Sequence, residues 1–250
     1  MEAELTEALP NDLQEWALFI DIDGTLIDLA PTPTGIEIPL DLPSQLLAVS
    51  QRSNGAMALV TGRSIESVDA MFSPHQFVMA GMHGSEIRDT SGSIRRKQID
   101  KASLDPARSE LGKLAGHWPG LIVEDKSLAI AVHYRQVPEA ESAVRSRMSV
   151  IHSMLGEDWK LQNGKMVVEL HPSGSDKGTA ISDFMSHQPF KGKKPLVIGD
   201  DLTDEAMFNY ANGCGGRSVR VGDSLYVSAA KFKVSSASDV RRWVASQAGG

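Results

Sequence analysis

The chain has 250 residues, a formal net charge of −7, 41% hydrophobic and 23% charged residues, and one cysteine. That is enough for one large α/β domain or two smaller units of ordinary globular composition. It excludes an intramolecular disulfide framework, a metal site built on cysteines, and a membrane-spanning helix, for which no stretch approaches the ~20 apolar residues required.

The N-terminus Met1-Glu2-Ala3-Glu4-Leu5 is acidic and lacks the basic-then-apolar layout of a secretory leader. With a lone Cys214, this points to the reducing cytoplasm. Ala17-Leu18-Phe19-Ile20 reads as a buried strand running into Asp21-Ile22-Asp23-Gly24-Thr25. Side chains alternate along a strand, so Asp21 and Asp23 leave the same face roughly 7 Å apart. Two carboxylates at the tip of a buried strand are costly unless they surround a cation or serve as nucleophile and proton carrier. A hard cation such as Mg2+ takes an oxygen from each, or one carboxylate and a backbone carbonyl. A plain strand followed by an Asp-Gly turn is the structural alternative.

Pro31 to Pro43 reads as an irregular excursion returning to a helix at Ser44–Gln51. A second apolar strand, Ala56–Val60, leads through Thr61-Gly62-Arg63 to a helix over Ser64–Phe72, with Ser64 as N-cap. A third, Phe77–Ala80, ends at the turn Gly81-Met82-His83-Gly84, and Leu196–Gly199 is a fourth. Between them Ile94–Asp100, Leu121–Asp125, Leu128–Arg135 and Met166–Leu170 read as strands of mixed polarity, separated by helical patterns at Pro106–Trp118 and Pro138–Leu155. Strands with one wet face suggest a smaller, open-faced unit. The triplet Arg95-Arg96-Lys97 is a solvated segment, and nothing else basic invites nucleic acid.

The fold expected is α/β: a doubly wound, Rossmann-like parallel core over residues 1–85 and 171–250, with an α/β cap inserted at 86–170. Ligands in such sheets bind beyond the carboxyl ends of the strands, where Asp21, Asp23, Thr61 and Asp200 stand. Asp200 completes an oxygen cage with Asp21, and Asp204, one turn on, orients it; Asp201 and Thr203 serve equally well as helix caps. Thr61 offers a hydroxyl and Gly62 an amide to phosphate oxygens. Lys177, ahead of a helix over Thr179–His187, offers a point charge. A last helix covers Val240–Ser246.

Asp21-Ile22-Asp23-Gly24-Thr25, Thr61, Lys177 and Gly199-Asp200-Asp201 match in order the four motifs of the haloacid dehalogenase superfamily of phosphotransferases, which this chain resembles. The 38 positions from Asp23 to Thr61 are too few for a cap, whereas the 116 from Thr61 to Lys177 are ample. Within that superfamily the chain is similar, along essentially its whole length, to the trehalose-6-phosphate phosphatases. The stretches that carry the likeness include Gly81-Met82-His83-Gly84, Glu124-Asp125-Lys126, Ala131-Val132-His133-Tyr134-Arg135 and Gly164-Lys165-Met166-Val167-Val168-Glu169. His171-Pro172 departs from it, since the family usually has a basic residue there.

The resemblance implies Asp21 as nucleophile and Asp23 as general acid and base. It implies Mg2+ on Asp21, the Asp23 carbonyl and Asp200. Thr61 and Lys177 stabilise the transferring group, Gly62 and Arg63 bind substrate, and Asp201 and Asp204 order the surroundings. Glu124, Lys126, Arg135, Lys165 and Glu169 are its sugar-contacting positions. Even spacing within Glu124/Lys126, His133/Arg135 and Lys165/Glu169 puts each pair on one strand face, which suits a polyhydroxylated ligand. The expected activity is phosphosugar hydrolysis, the last step of trehalose biosynthesis, by a chain with no membrane or nucleic-acid partner; a monomer is plausible, and the sequence leaves the oligomeric state open. A phosphatase for sucrose 6-phosphate or mannosyl phosphates, and a catalytically silent sugar-phosphate sensor, remain open alternatives.

Overall fold

A computed structural model describes residues 7–30, 35–126, 128–223 and 226–249. The acidic N-terminal segment and the start of the Pro31–Pro43 excursion lie outside the described residues. In chain order the first half holds β1 (Trp16–Ile20), α1 (Leu42–Arg52), β2 (Met57–Val60), α2 (Ile65–Met71), β3 (Met79–Gly81), β4 (Glu86–Arg88), β5 (Ile94–Arg96), α3 (Asp105–His117), β6 (Ile122–Asp125) and β7 (Ile130–His133). The second half holds α4 (Glu141–Leu155), β8 (Trp159–Gly164), β9 (Val167–Pro172), α5 (Lys177–Met185), β10 (Lys194–Gly199), α6 (Glu205–Gly213), β11 (Arg217–Val221), β12 (Phe232–Val234) and α7 (Ala237–Ala248).

The described residues divide into two units, one of residues 7–30, 35–95, 176–223 and 226–249, the other of residues 96–126 and 128–175. The first is built on a sheet of strand order β12-β11-β10-β1-β2-β3-β4-β5, parallel from β12 to β3 and antiparallel at β4. Alternation along β1 serves both faces. Leu18 and Ile20 join Leu42, Leu46, Val49, Val240, Trp243 and Val244 of α1 and α7. Ala17 and Phe19 join Ile181, Phe184, Met207 and Phe208 of α5 and α6. Phe19 stacks on Phe190 with ring centroids 5.4 Å apart. Each large side chain buried this way contributes about 1.5–3 kcal/mol, so a double-sided run of them fixes the doubly wound layers.

From β1 the chain proceeds to β2 on one side and returns through β10 on the other. Its carboxyl end is therefore the point where the winding reverses and a crevice opens.

In the second unit β6-β7-β9-β8 form an antiparallel sheet. One face buries Ile130, Val132, Val168 and Leu170 against Leu111, Val144, Met148 and Ile151 of α3 and α4. The other carries a cross-strand row, Glu124 level with Ala131, Ala131 with Glu169, and Glu169 with Gln162.

The sequence reading and the structure part in identifiable places. The strand expected over Ile94–Asp100 is confined to Ile94–Arg96 and extends the large sheet. β4, β8, β11 and β12 were not foreseen, because segments such as Arg217-Ser218-Val219-Arg220-Val221 bury polar side chains and lack a continuous apolar run. Residues 86–95 group with the large sheet and 171–175 with the second unit, whereas composition placed the changes at 86 and 170. Among the described residues no helix is long and apolar enough to cross a membrane.

Candidate active site

β1 and β10 run side by side with Ile20 level with Ile198, and the Asp21 amide donates to the Ile198 carbonyl at 2.9 Å. Asp21 and Asp200 consequently emerge from neighbouring strands at the same edge. Carboxylate oxygens of Asp21, Asp200 and Asp204 lie within 4.8 Å of one another, and all three residues are buried. Gly24 makes this possible. Its φ is +81°, and a Cβ there would stand 2.2 Å from Asp200 Oδ2, so only a residue without a side chain lets the carboxylate lie over the turn.

Lys177 enters the same cluster from α5. The helix starts at Lys177, two residues earlier than expected, because Asp176 caps it: Asp176 Oδ1 accepts the Thr179 amide at 2.7 Å, and Thr179 Oγ1 accepts the Asp176 amide at 3.0 Å. Lys177 is 2% exposed and donates from Nζ to Asp21 Oδ1 at 2.7 Å and to Asp204 Oδ1 at 2.6 Å. Burial alone would favour the neutral amine, but the attraction of Asp204 and Asp21 outweighs it and holds the ammonium above its ordinary range. Burial, reinforced by Asp204 and Asp200, pushes the Asp21 carboxyl well up against the pull of Lys177.

The second oxygen of Asp204 accepts the Asp200 and Asp201 amides at 2.8 and 2.9 Å. Both oxygens of Asp204 are thus engaged within the cluster, as are those of Asp21, whose Oδ2 accepts the Thr25 hydroxyl at 3.3 Å. Three buried carboxyl groups outnumber one ammonium, and the donors are hard oxygens. A hard divalent cation fits this chemistry.

Asp23 is engaged differently. Arg63 Nε and Nη2 donate to its two carboxylate oxygens at 2.7 and 2.6 Å. The Arg63 amide donates to Thr61 Oγ1 at 3.1 Å, so Thr61, Arg63 and Asp23 form one contiguous group. The turn after β3 buttresses it: the Met82 amide donates to the Arg63 carbonyl at 2.9 Å and the His83 amide to the Thr61 carbonyl at 3.0 Å. Met82 and His83 hold φ values of 50° and 53°, a left-handed conformation that costs roughly 1–2 kcal/mol per residue and is tolerated because those bonds fix it. The His83 ring lies against Gly62, with Nε2 2.6 Å from where a Cβ would stand. Asp201 caps the short turn Leu202–Asp204, accepting the Leu202 amide at 2.7 Å.

Sequence reasoning missed Arg220, which is buried and donates to the Asp200 carbonyl at 2.7 Å and to the Tyr226 hydroxyl at 2.8 Å. An arginine within a strand pattern carries no sequence signal for such a contact.

Of the residues expected to meet a sugar, Glu124 and Glu169 stand in the cross-strand row, and Lys126, just past β6, donates to Glu169 Oε2 at 2.6 Å. Glu124 Oε2 lies 2.8 Å from His133 Nε2. Lys165 and Arg135 depart from the expected strand-face pairing. Lys165 sits in the turn between β8 and β9, where Met166 has a φ of 62°, and Arg135 lies beyond β7, donating from Nη2 to the Lys165 carbonyl at 3.2 Å. Four-residue spacing maintains a face only where the strand continues.

Comparison with known proteins is concordant. The family model for trehalose-phosphatase matches residues 19–236. A probable trehalose-phosphate phosphatase of Sinorhizobium fredii is 42% identical over 245 residues, covering 98% of this chain and 92% of that protein. The C-terminal domain of Candida albicans trehalose-6-phosphate phosphatase superposes with a TM-score of 0.86 at 20% identity, covering 98% of this chain and 97% of that one. A phosphatase of the haloalkanoate (HAD) superfamily from Bacteroides thetaiotaomicron superposes with a TM-score of 0.61 at 18% identity, over 91% and 92% of the two chains. At those identities the two superpositions speak to the fold alone, which is that of the haloacid dehalogenase superfamily.

Proposed function

Because this chain belongs to the trehalose-phosphatase family and is a phosphatase, we propose that it hydrolyses trehalose 6-phosphate to trehalose and phosphate, with Mg2+ and through an aspartyl-phosphate. The observation that carries the reading is the buried cluster of Asp21, Asp200 and Asp204 around Lys177, at the ends of adjacent parallel strands. A cluster of net negative charge suits a phosphate dianion only once a cation joins it.

In this mechanism an Asp21 oxygen attacks phosphorus while the bond from phosphorus to the sugar oxygen breaks, and Asp23 gives that oxygen a proton. Water then attacks the phosphorus of the aspartyl-phosphate, Asp23 takes its proton, and phosphate leaves with Asp21 regenerated. Both oxygens of Asp23 accept from Arg63 in the resting arrangement, so the fork opens before the proton moves. Lys177 keeps one Asp21 oxygen fixed and supplies positive charge beside the transferring group, and Thr61 with the Gly62 amide receives its oxygens. Mg2+, held by Asp21, the Asp23 carbonyl and Asp200, supplies the remaining charge stabilisation when bound.

The first unit acts as the catalytic core in this reading. The second supplies sugar recognition through Glu124, Lys126, Arg135, Lys165 and Glu169, whose carboxylates accept from hydroxyls and whose cations donate to ring oxygens. One exposed free cysteine accords with a cytoplasmic setting. A panel of trehalose 6-phosphate, sucrose 6-phosphate, mannose 6-phosphate and an aryl phosphate tests the assignment by phosphate release. Trehalose 6-phosphate gives the highest kcat/KM if the proposal holds. A higher value for another phosphosugar reassigns the substrate.

A further inference from the structure

We propose that His133 is a positioning residue for sugar recognition that acts through Glu124, an inference that rests on the phosphosugar reading above. Glu124 lies on an open strand face with its side chain 36% exposed, where a carboxylate ordinarily samples several rotamers. His133 stands diagonally across the β6–β7 pair, since Glu124 is level with Ala131 and Ile122 with His133. Its Nε2 reaches Glu124 Oε2 at 2.8 Å. That bond fixes the carboxylate plane and directs Oε1 as an acceptor for substrate hydroxyls.

A second carboxylate on the same row, Glu169, is fixed in the same manner by Lys126 at 2.6 Å. Ala131 lies between them, level with Glu124 on one side and Glu169 on the other. Two strand spacings put the backbones of the two glutamates roughly 10 Å apart. Two acceptors so separated, each held by its own cationic or histidine partner, address hydroxyls of both rings of a disaccharide phosphate. A monosaccharide phosphate engages one of them. Although burial works against its charge, the His133 hydrogen bond and nearby Lys126 bring the Glu124 carboxyl below its usual range, as an acceptor for hydroxyls requires.

The test compares wild type, His133→Ala, His133→Asn, His133→Gln, Glu124→Gln and the His133→Ala/Glu124→Gln double variant. Steady-state kinetics are taken on trehalose 6-phosphate, glucose 6-phosphate and an aryl phosphate, with thermal melting as a control. Loss of the Glu124 contact in His133→Ala raises KM for trehalose 6-phosphate about tenfold and leaves aryl-phosphate kcat/KM within about twofold. His133→Gln, whose amide reaches the same oxygen, recovers most of the loss, and the shorter His133→Asn does not. The double variant is no worse than Glu124→Gln alone, as coupling through one contact demands. Equal losses on the aryl phosphate, additive losses in the double variant, or an unaffected His133→Ala overturn the role of His133. Should His133→Ala fail to fold, the contrast between His133→Gln and His133→Asn decides in the same way. A wild type inactive on trehalose 6-phosphate overturns the functional reading itself.

Discussion

Lys177 concentrates the energetics of the cluster in one side chain. It is almost fully buried and touches two carboxylates, so its removal strands two negative charges in a low-dielectric site. Lys177→Met is expected to destabilise the fold by about 3–5 kcal/mol in urea unfolding, as for the breaking of a buried pair from one side. It should also abolish turnover; an unchanged unfolding midpoint would mean that the ammonium does not balance the cluster. At this scale the sequence was informative where a motif fixed the spacing, as with Asp21, Asp204 and Lys177, whose contacts the structure displays. Arg220, Tyr226 and the hold of Arg63 on both oxygens of Asp23 were not legible. Each depends on a side chain reaching across elements, which neither periodicity nor composition encodes.

At the level of elements, the cap of α5 governs where Lys177 stands. Asp176→Ala removes the acceptor for the Thr179 amide, with an expected cost of about 1 kcal/mol of stability. Because the lysine is the first residue of the helix, fraying should also lower kcat without a comparable change in KM. Kinetics and denaturant unfolding on the same variant check both, and a kcat equal to wild type would detach the cap from the site. The strands whose apolar runs are continuous, β1, β2 and β10, were legible because burial on both faces demands such runs. Helices were located correctly and mis-bounded by a few residues: α7 extends from Ala237, where Ser236 accepts the Asp239 amide, well before the Val240 expected from apolar spacing alone. β4, β8, β11 and β12 were illegible because they are mixed in polarity, and their pairing is decided by neighbours distant in sequence.

For the molecule as a whole, the reversal of winding at β1 brings groups from residues 21, 177, 200 and 204 to one sheet edge, at the expense of accumulating negative charge in the fold. A ligand that binds only the folded state stabilises it by mass action. Mg2+ at 100 times its Kd should therefore contribute about 2.7 kcal/mol and raise the thermal midpoint. Asp200→Asn should remove most of that rise in differential scanning fluorimetry. An equal rise in the variant would place the cation elsewhere.

The most direct test sets wild type against Asp21→Asn, with trehalose and phosphate both quantified from trehalose 6-phosphate in the presence of Mg2+. Asparagine keeps the shape and relieves repulsion among three buried carboxylates, so the variant should melt no lower than the metal-free wild type. The account predicts equimolar trehalose and phosphate from wild type and none above background from the folded variant. Turnover by Asp21→Asn at a rate near that of wild type would contradict it.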